Sequence, residues 1–445
     1  MKKSGVYMES ERSRVALMGL TFSEISQVLA AWGGWLIDGY TSIAYLLVAV
    51  DMSKIFFPAN LGYLALILTL LPVTFGAVAR SVGSLVLGNF LGDRIGRKTL
   101  LTISILGFTL FSASKGLIPS YSEIGIVAPI LLYVILFIEG LFAGAEYGGG
   151  AALAMESVPS EKREPVGAFM QSGYGTGYFL IVFVDLMLTG LFGATNFAAY
   201  GWRFLFFTAL IPGVLTFVIR FFSKETRVFR KMKEEKEIVK SPAASMFRDS
   251  HVKLIYGLMI TTGLLFINTA TFSFYPILGG ADFLNLGSGL LDALLLINFV
   301  SLIGVWSGGY LARKNRSRRL PMLVFSLVFS IPTAAFVIFG YSSNILVFAL
   351  VFSVQAFVEA MIFSALPAFL AETFSKKYRS TAVGLVYNGG AIFGGTAIVL
   401  LTAPAKLINL KLLWIIELYA ASILLISGLL LSRSYEKRQG DVIDL

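Results

Sequence analysis

Residues 88–98 read GNFLGDRIGRK, and residues 304–314 read GVWSGGYLARK. Gly88, Gly92, Arg97 and Lys98 recur as Gly304, Gly308, Arg313 and Lys314, a constant offset of 216 (304 − 88). The same offset carries Glu156 and Arg163 onto Glu372 and Arg379, both written Glu-x6-Arg, and Gly173 onto Gly389. One offset for all these pairs leaves no net insertion between the copies. With 44 Gly in the chain, glycine matches come cheaply. Two Arg, a Lys and a Glu at loop positions do not. The chain is therefore two related halves.

Outside these loops the chain is apolar. Of 445 residues, 56% are hydrophobic and 14% are charged, and mean hydropathy is +0.79. Soluble domains carry about 25% charged residues. A soluble globule is excluded, and so is disorder, which needs low hydrophobicity and high charge. There is no Cys, and His251 is the single His. That removes disulfides, thiolate nucleophiles, His-based metal clusters and Ser-His-Asp triads. No catalytic residue, metal or cofactor is assigned. A phosphate loop needs four residues between its glycines and then Lys. Gly92 and Gly96 enclose three and precede Arg97, so an ATP-driven pump is not indicated.

A membrane helix takes about 20 mostly apolar residues. Twelve such runs are predicted, at 27–50, 62–87, 99–118, 128–154, 166–190, 202–222, 254–278, 286–311, 320–341, 344–370, 380–404 and 410–432. The first is too long for a signal-peptide core and no small-residue cleavage site follows it, so it is read as a retained span. With alternating spans, 30 of the 36 Lys and Arg fall on the side of the termini and 5 on the other, Lys115 among them. Arg80 lies within a span. That bias predicts cytoplasmic termini in the plasma membrane. It also accounts for the net charge of +10 without nucleic acid. Six spans per half give parallel repeats, with a site between the halves near the midplane. The expected domains are a six-helix bundle over 1–223, a cytoplasmic linker over 224–253 and a second bundle over 254–445.

GNFLGDRIGRK resembles the loop two–three signature of the major facilitator superfamily, G-x-x-x-D-R-x-G-R-K. VTFGAVARSVGSLVLGNFLGDRIGRK (73–98) is similar to the second span of its metabolite:proton symporters, which carry Arg-Pro-x-Gly where this chain has Arg80, Ser81, Val82 and Gly83. LIPSYSEIGIVAPILL (117–132) and GAEYGGGAALAMESVPSEKREPVGAFMQSG (144–173) match that group's third to fifth spans, and YNGGAIFGGTA (387–397) its eleventh. WLIDGY (35–40) resembles the sialate, aromatic-acid and phosphate symporters. The resemblance covers nearly the whole chain. It implies an all-α integral membrane protein of twelve helices in two pseudo-symmetric halves. The implied activity is proton-coupled transport in the sugar/organic-ion porter group. Three departures stand out. Family members carry Arg-x-x-Gln-Gly in span four, an Arg implicated in proton coupling; here the stretch is Leu136, Phe137, Ile138, Glu139, Gly140. Thr41 replaces a second acid in span one. Gly309 stands where Asp93 would repeat.

Ionisable residues inside a bilayer usually face a cavity or a partner and serve function. Asp38, Glu146 and Glu139 are the candidate proton carriers. Glu139 and Glu146 lie seven apart, on one helix face. The alternative for each is a structural ion pair, with Arg80 for Asp38, or a plain hydrogen bond. Candidate substrate contacts are Arg80, Tyr40, Gln171, Asn268, Asn298, Tyr387, Asn388 and Glu359, each equally able to bond neighbouring helices. Asp93, Arg94, Arg97, Glu156 and Arg163, with Arg313, Glu372 and Arg379, form a candidate inter-helix latch; unlatched, they are plain positive-inside charge.

The reading is a monomeric secondary transporter. It moves a small hydrophilic metabolite (an organic acid, zwitterion or sugar acid) with protons by alternating access in a lipid bilayer. A sugar transporter or an uncoupled facilitator or exporter is the alternative. A non-transporting nutrient sensor is disfavoured by short tails, and a membrane enzyme by the missing Cys and His.

Overall fold

The computed structural model describes residues 15–16, 19–315 and 317–435. Among the described residues, ten helices are each long and apolar enough to cross a membrane, and two bent pairs bring the spans to twelve. The first half holds α1 (Phe22–Leu47, bent by 59° into Ala49–Phe56), α2 (Tyr63–Gly92) and α3 (Arg97–Leu117). It continues with α4 (Val127–Ser157), α5 (Ser160–Phe192) and α6 (Ala194–Phe222). The second half holds α7 (His251–Leu278), α8 (Gly289–Ala312) and α9 (Arg319–Ser330, bent by 44° into Thr333–Gly340). It ends with α10 (Ile345–Thr373), α11 (Arg379–Thr402) and α12 (Leu410–Ser434). Each of the twelve expected apolar runs falls on one of these spans.

Local chemistry sets several boundaries. Thr21 caps α1: its hydroxyl accepts from Glu24 N–H at 3.3 Å, and the Glu24 carboxylate accepts from Thr21 N–H at 2.7 Å. The bend in α9 falls at Pro332, which lacks the N–H that would continue the ladder. The linker side of α2, Ser84–Gly92, and the stretch Thr269–Ser273 of α7 wind as wider π-turns. Such turns often sit at functional positions.

The linker forms two short helices. Arg227–Glu234 buries Val228, Phe229 and Met232 and turns basic residues to the outside. Pro242–Asp249 follows. A two-residue antiparallel pairing, Val15–Ala16 with Leu20–Thr21, precedes α1. The tail residues Lys2, Lys3, Arg12, Arg14, Lys437 and Arg438, and Arg316, lie outside the described residues.

The halves meet along α2 and α4 against α11, and along α5 against α8 and α10. Outward-facing Phe75, Phe90, Leu110, Ile130 and Leu350 are exposed, as lipid-facing side chains must be. Lipid gives helices little hydrophobic reason to associate, so close backbone contact does the packing. Gly144 of α4 lies so near α2 that a Cβ there would stand 1.9 Å from the Arg80 carbonyl oxygen. Gly83 of α2 returns the contact, 1.9 Å from the Leu141 carbonyl oxygen.

Gly144→Ala should therefore destabilise the protein by about 1–3 kcal/mol, the cost of overpacking a tight contact. Gly190→Ala, where nothing lies within 4 Å, should not. Thermal unfolding in detergent compares the two; equal melting temperatures would contradict the close-contact account.

Candidate functional site

A cavity of about 230 Å³ lies between the halves. It is lined by α1, α2, α3, α4 and α5 from one half and by α7, α8, α10 and α11 from the other. Asp38, Arg80, Glu139, Gln171, Asn268, Asn298, Tyr387 and Asn388 all reach it. The structure thus brings eight of the candidate side chains, from seven helices, to one cavity. Tyr40, Glu146 and Glu359 do not line it. Tyr40 turns to α6 and bonds the Thr208 hydroxyl at 2.7 Å. Glu146 is sealed in the first half, held by both Arg220 nitrogens at 2.9 and 2.6 Å and by the Ser104 hydroxyl. Glu359 sits one side chain behind the wall, where Asn268 donates to it at 3.1 Å.

Two ion pairs face the cavity. Arg80 grips Asp38 with both terminal nitrogens, Nη1 to Oδ2 at 2.7 Å. Asp38 is 1% exposed while the Arg80 side chain keeps 20%, so the cation is the accessible partner. Lys115 of α3 meets Glu139 at 2.9 Å and lies 4.9 Å from the centre of the Phe206 ring. Lys115 was counted among the loop charges of the far side; it is 1% exposed and reaches the cavity wall. The two pairs leave the cavity with no net charge. Aromatic side chains of Trp35, Tyr45, Tyr174 and Tyr178 fill much of the remaining wall. Gln171 Oε1 and both amide atoms of Asn298 are buried without a protein partner among the described residues and are free to meet a ligand.

The cavity floor is aromatic. Tyr147 of α4 stacks on Tyr387 of α11 with ring centres 3.6 Å apart, and Trp35 packs edge-on against both. One residue along, α4 and α11 touch through glycine: a Cβ on Gly148 would stand 2.3 Å from the Ser380 carbonyl oxygen. Tyr387 and Arg379 are eight residues apart, so the next layer lies about 12 Å further toward the linker face.

That layer is a charge cluster joining the halves. Glu156 accepts from Arg379 at 2.9 Å, and Arg163 donates to Glu372 at 3.0 Å. The two Glu-x6-Arg repeats thus exchange partners. Each Arg is also tied to a carbonyl in its own half, Arg163 Nε to Met155 O at 3.1 Å and Arg379 Nε to Ala371 O at 2.8 Å, positions again 216 apart (371 − 155). Arg97 adds a bond to Glu156 at 3.3 Å and one to the Lys376 carbonyl at 2.8 Å. Asp93 accepts from the N–H groups of Ser380 and Thr381 at 3.2 and 2.9 Å, and from the Thr381 hydroxyl at 2.6 Å. It caps the start of α11 from the opposite half. Burial pushes the Asp93 carboxyl up, against Arg97 and these donors.

Two candidates stand apart from this cluster. Arg94 lies over the Phe90 ring at 4.8 Å. Arg313 is exposed over Tyr310 at 3.6 Å. Arg318, not singled out from the sequence, holds Glu372 at 3.0 Å and Glu164 of the other half at 3.2 Å. Arg220 was also missed, although Gly213, Thr216 and Arg220 form the small and polar stripe that α6 buries. The opposite face is joined more weakly. Tyr63 bonds the Thr402 carbonyl at 2.7 Å, Tyr178 the Phe272 carbonyl at 3.1 Å and Thr74 the Gly395 carbonyl at 3.3 Å.

The sequence profile of the Major Facilitator Superfamily matches residues 25–398. The chain belongs to this superfamily and is a multi-pass membrane transporter, not an enzyme. It is 31% identical over 379 residues to the inner membrane metabolite transport protein YhjE of Escherichia coli K12, covering 83% of this chain and 85% of that one. It is 31% identical over 234 residues to the proline/betaine transporter of the same strain, covering 51% of this chain and 46% of that one. The solved proton:xylose symporter XylE, bound to 6-bromo-6-deoxy-D-glucose, superposes with a TM-score of 0.69 at 14% identity, covering 94% of this chain and 97% of that one. That likeness shows the fold.

Removing one partner of a buried ion pair costs roughly 3–5 kcal/mol. Glu156→Gln should therefore open the linker face. The Ser380 side chain is buried against α2, where Gly92 sits, and the chain has no native Cys. In a Ser380→Cys background, Glu156→Gln should raise maleimide labelling by about tenfold or more, since 1.4 kcal/mol is already tenfold. Unchanged labelling would mean that the charge cluster does not hold the halves together.

Proposed function

We propose that this transporter moves a small zwitterion or carboxylate together with a proton, across a plasma membrane, with both termini in the cytoplasm. The observation that carries the reading is the Asp38–Arg80 pair at the cavity wall. Asp38 occupies both terminal nitrogens of Arg80. A substrate carboxylate would need the same nitrogens, since a guanidinium fork matches one carboxylate at a time. A proton on Asp38 removes the competitor. The proton and the substrate anion then bind together, and neither binds well alone. That is coupling by shared use of one cation.

Several features support this reading. The 30 to 5 bias of Lys and Arg favours cytoplasmic termini. The aromatic wall, with Trp35 and Tyr45, suits a quaternary or secondary ammonium group through cation–π contact. A relative named for proline and betaine agrees with a zwitterion. Glu139–Lys115 supplies a second pair able to receive the opposite charge. Glu146, gripped by Arg220 away from the cavity, takes a structural role in this scheme. A sugar is the second reading, favoured by Gln171 Oε1 and the Asn298 amide, which have no partner among the described residues and suit hydroxyl groups.

In proteoliposomes, proline, glycine betaine, small carboxylates and xylose are presented in turn while external pH is followed. A zwitterion or carboxylate should alkalinise the outside. Asp38→Asn should abolish that signal yet leave substrate counterflow within about tenfold of wild type, because exchange needs no net proton movement. Uptake of any substrate with no proton signal would make the protein a facilitator or a symporter of another ion. Proton-linked uptake of xylose alone would establish the sugar reading.

A further inference from the structure

We propose that Glu359, in the second half, is a further proton-binding site, holding its proton behind the cavity wall and exchanging it with the cavity through Asn268. Its protonation stands on geometry alone; its part in transport rests on the proton-coupled reading above.

Glu359 lies midway along α10 and is fully buried. Asp38, Glu139, Glu146, Glu156 and Glu372, which are also buried or nearly so, each have an Arg or Lys partner. Glu359 has none among the described residues. Its partners are neutral: Asn268 at 3.1 Å, Thr271 at 2.8 Å and Gln355. Gln355 in turn accepts from the Tyr275 hydroxyl. The packing helices bring no counter-charge. On α8 the ionisable groups are Asp292, Tyr310 and Arg313, at or just beyond its two ends. On α9 the charge is Arg319, at its start. On α5, Tyr178 is engaged by the Phe272 carbonyl. On α7, Tyr275 faces the cluster and the other ionisable groups lie at the linker end. A buried carboxylate with no cation is unstable as an anion and takes up a proton instead.

The hydrogen-bond pattern accommodates that proton. Thr271 Oγ1 is 2.8 Å from the Ile267 carbonyl and also 2.8 Å from Glu359 Oε2. Its hydroxyl has one hydrogen. When that hydrogen goes to Ile267, Oγ1 becomes an acceptor, and the Glu359 hydroxyl can donate to it. Asn268 and Gln355 still donate to the carboxyl group. Every partner is then satisfied with no net charge. The π-turn Thr269–Ser273 separates Asn268 from Thr271 in such a way that both reach the same carboxyl. Asn268 lines the cavity, so it stands between Glu359 and cavity water.

Infrared difference spectroscopy on purified protein in liposomes reads a protonated carboxyl directly, with no substrate. Wild type at neutral pH should show a protonated-carboxyl carbonyl band that shifts in D2O. Glu359→Gln, which keeps the shape, should lose it, and Asp38→Asn should keep it. Thr271→Val retains the carboxyl but removes its acceptor, and should move the band even if Glu359→Gln proves unstable. Asn268→Leu should keep the band and slow its deuterium exchange by about tenfold or more. No band assignable to Glu359, loss of the band on replacing choline chloride with sodium chloride, or exchange unaffected by Asn268→Leu would each overturn the proposal. Because the band needs no transport, a failure of symport through Asp38 would be seen separately, in the pH signal.

Discussion

Everything on the linker face depends on one exchange: Glu156 of the first half pairs with Arg379 of the second, and Arg163 of the first with Glu372 of the second. Four buried charges belong to two pairs only when the halves are together. Buried charges bind this tightly because each loses so much when left alone. In the alternating-access cycle that the sequence reading expects, these pairs must nevertheless part. The structure limits that cost by giving each carboxylate a second cation in its own half, Arg97 for Glu156 and Arg318 for Glu372. Each Arg likewise keeps a carbonyl of its own helix end. Separation then leaves every charge with a partner or water, and none orphaned. Thr226 of the linker also bonds Glu156 at 2.9 Å, and Phe229 lies under Arg97 at 5.0 Å, so the linker is packed onto the same cluster.

The repeat explains its own imperfection. Asp93 caps the start of α11, where Ser380 and Thr381 offer free N–H groups. The matching position in the second half is Gly309, and a Cβ there would stand 2.3 Å from the Ala168 Cβ. The matching helix start carries Glu164 and Pro165 in place of Ser380 and Thr381. An acid at 309 would face a second acid and one fewer N–H. Arg318 neutralises Glu164 instead.

The fold was legible because period and length determine it: apolar runs of membrane length, and one offset linking loop charges. The site was legible in part, for reasons that particular residues show. An offset says that Glu156 and Glu372 are equivalent, but not that each pairs with the other's Arg. Equivalence also misleads once a loop drifts, so Arg313 matched the pattern while Arg318, five residues on, does the work. Helical spacing put Glu139 and Glu146 on one face of α4. It could not show that Glu139 reaches the cavity while Arg220 of α6 seals Glu146 inside the first half. Lys115 of the adjacent α3 pairs with Glu139, a contact between helices that no spacing within α4 can reveal.

The two faces of the molecule are unequally closed. The linker face is held by an aromatic stack, a glycine contact and buried ion pairs in succession. The opposite face is held by neutral hydrogen bonds from Tyr63, Tyr178 and Thr74, each worth about 0.5–1.5 kcal/mol, and by Lys406 lying 4.1 Å from the centre of the Tyr63 ring. In the symport proposed here, the opposite face is therefore the one that parts first from this state and through which the cavity fills. The loaded cavity of that symport then decides whether the membrane potential contributes. A monovalent carboxylate with one proton leaves the two ion-paired walls at zero net charge, so the loaded protein turns over without moving charge. A zwitterion with one proton carries +1, and each charge crossing gains about 2.3 kcal/mol per 100 mV. The same Asp38–Arg80 exchange thus serves both substrate classes, and the substrate's own charge fixes which gradient drives it.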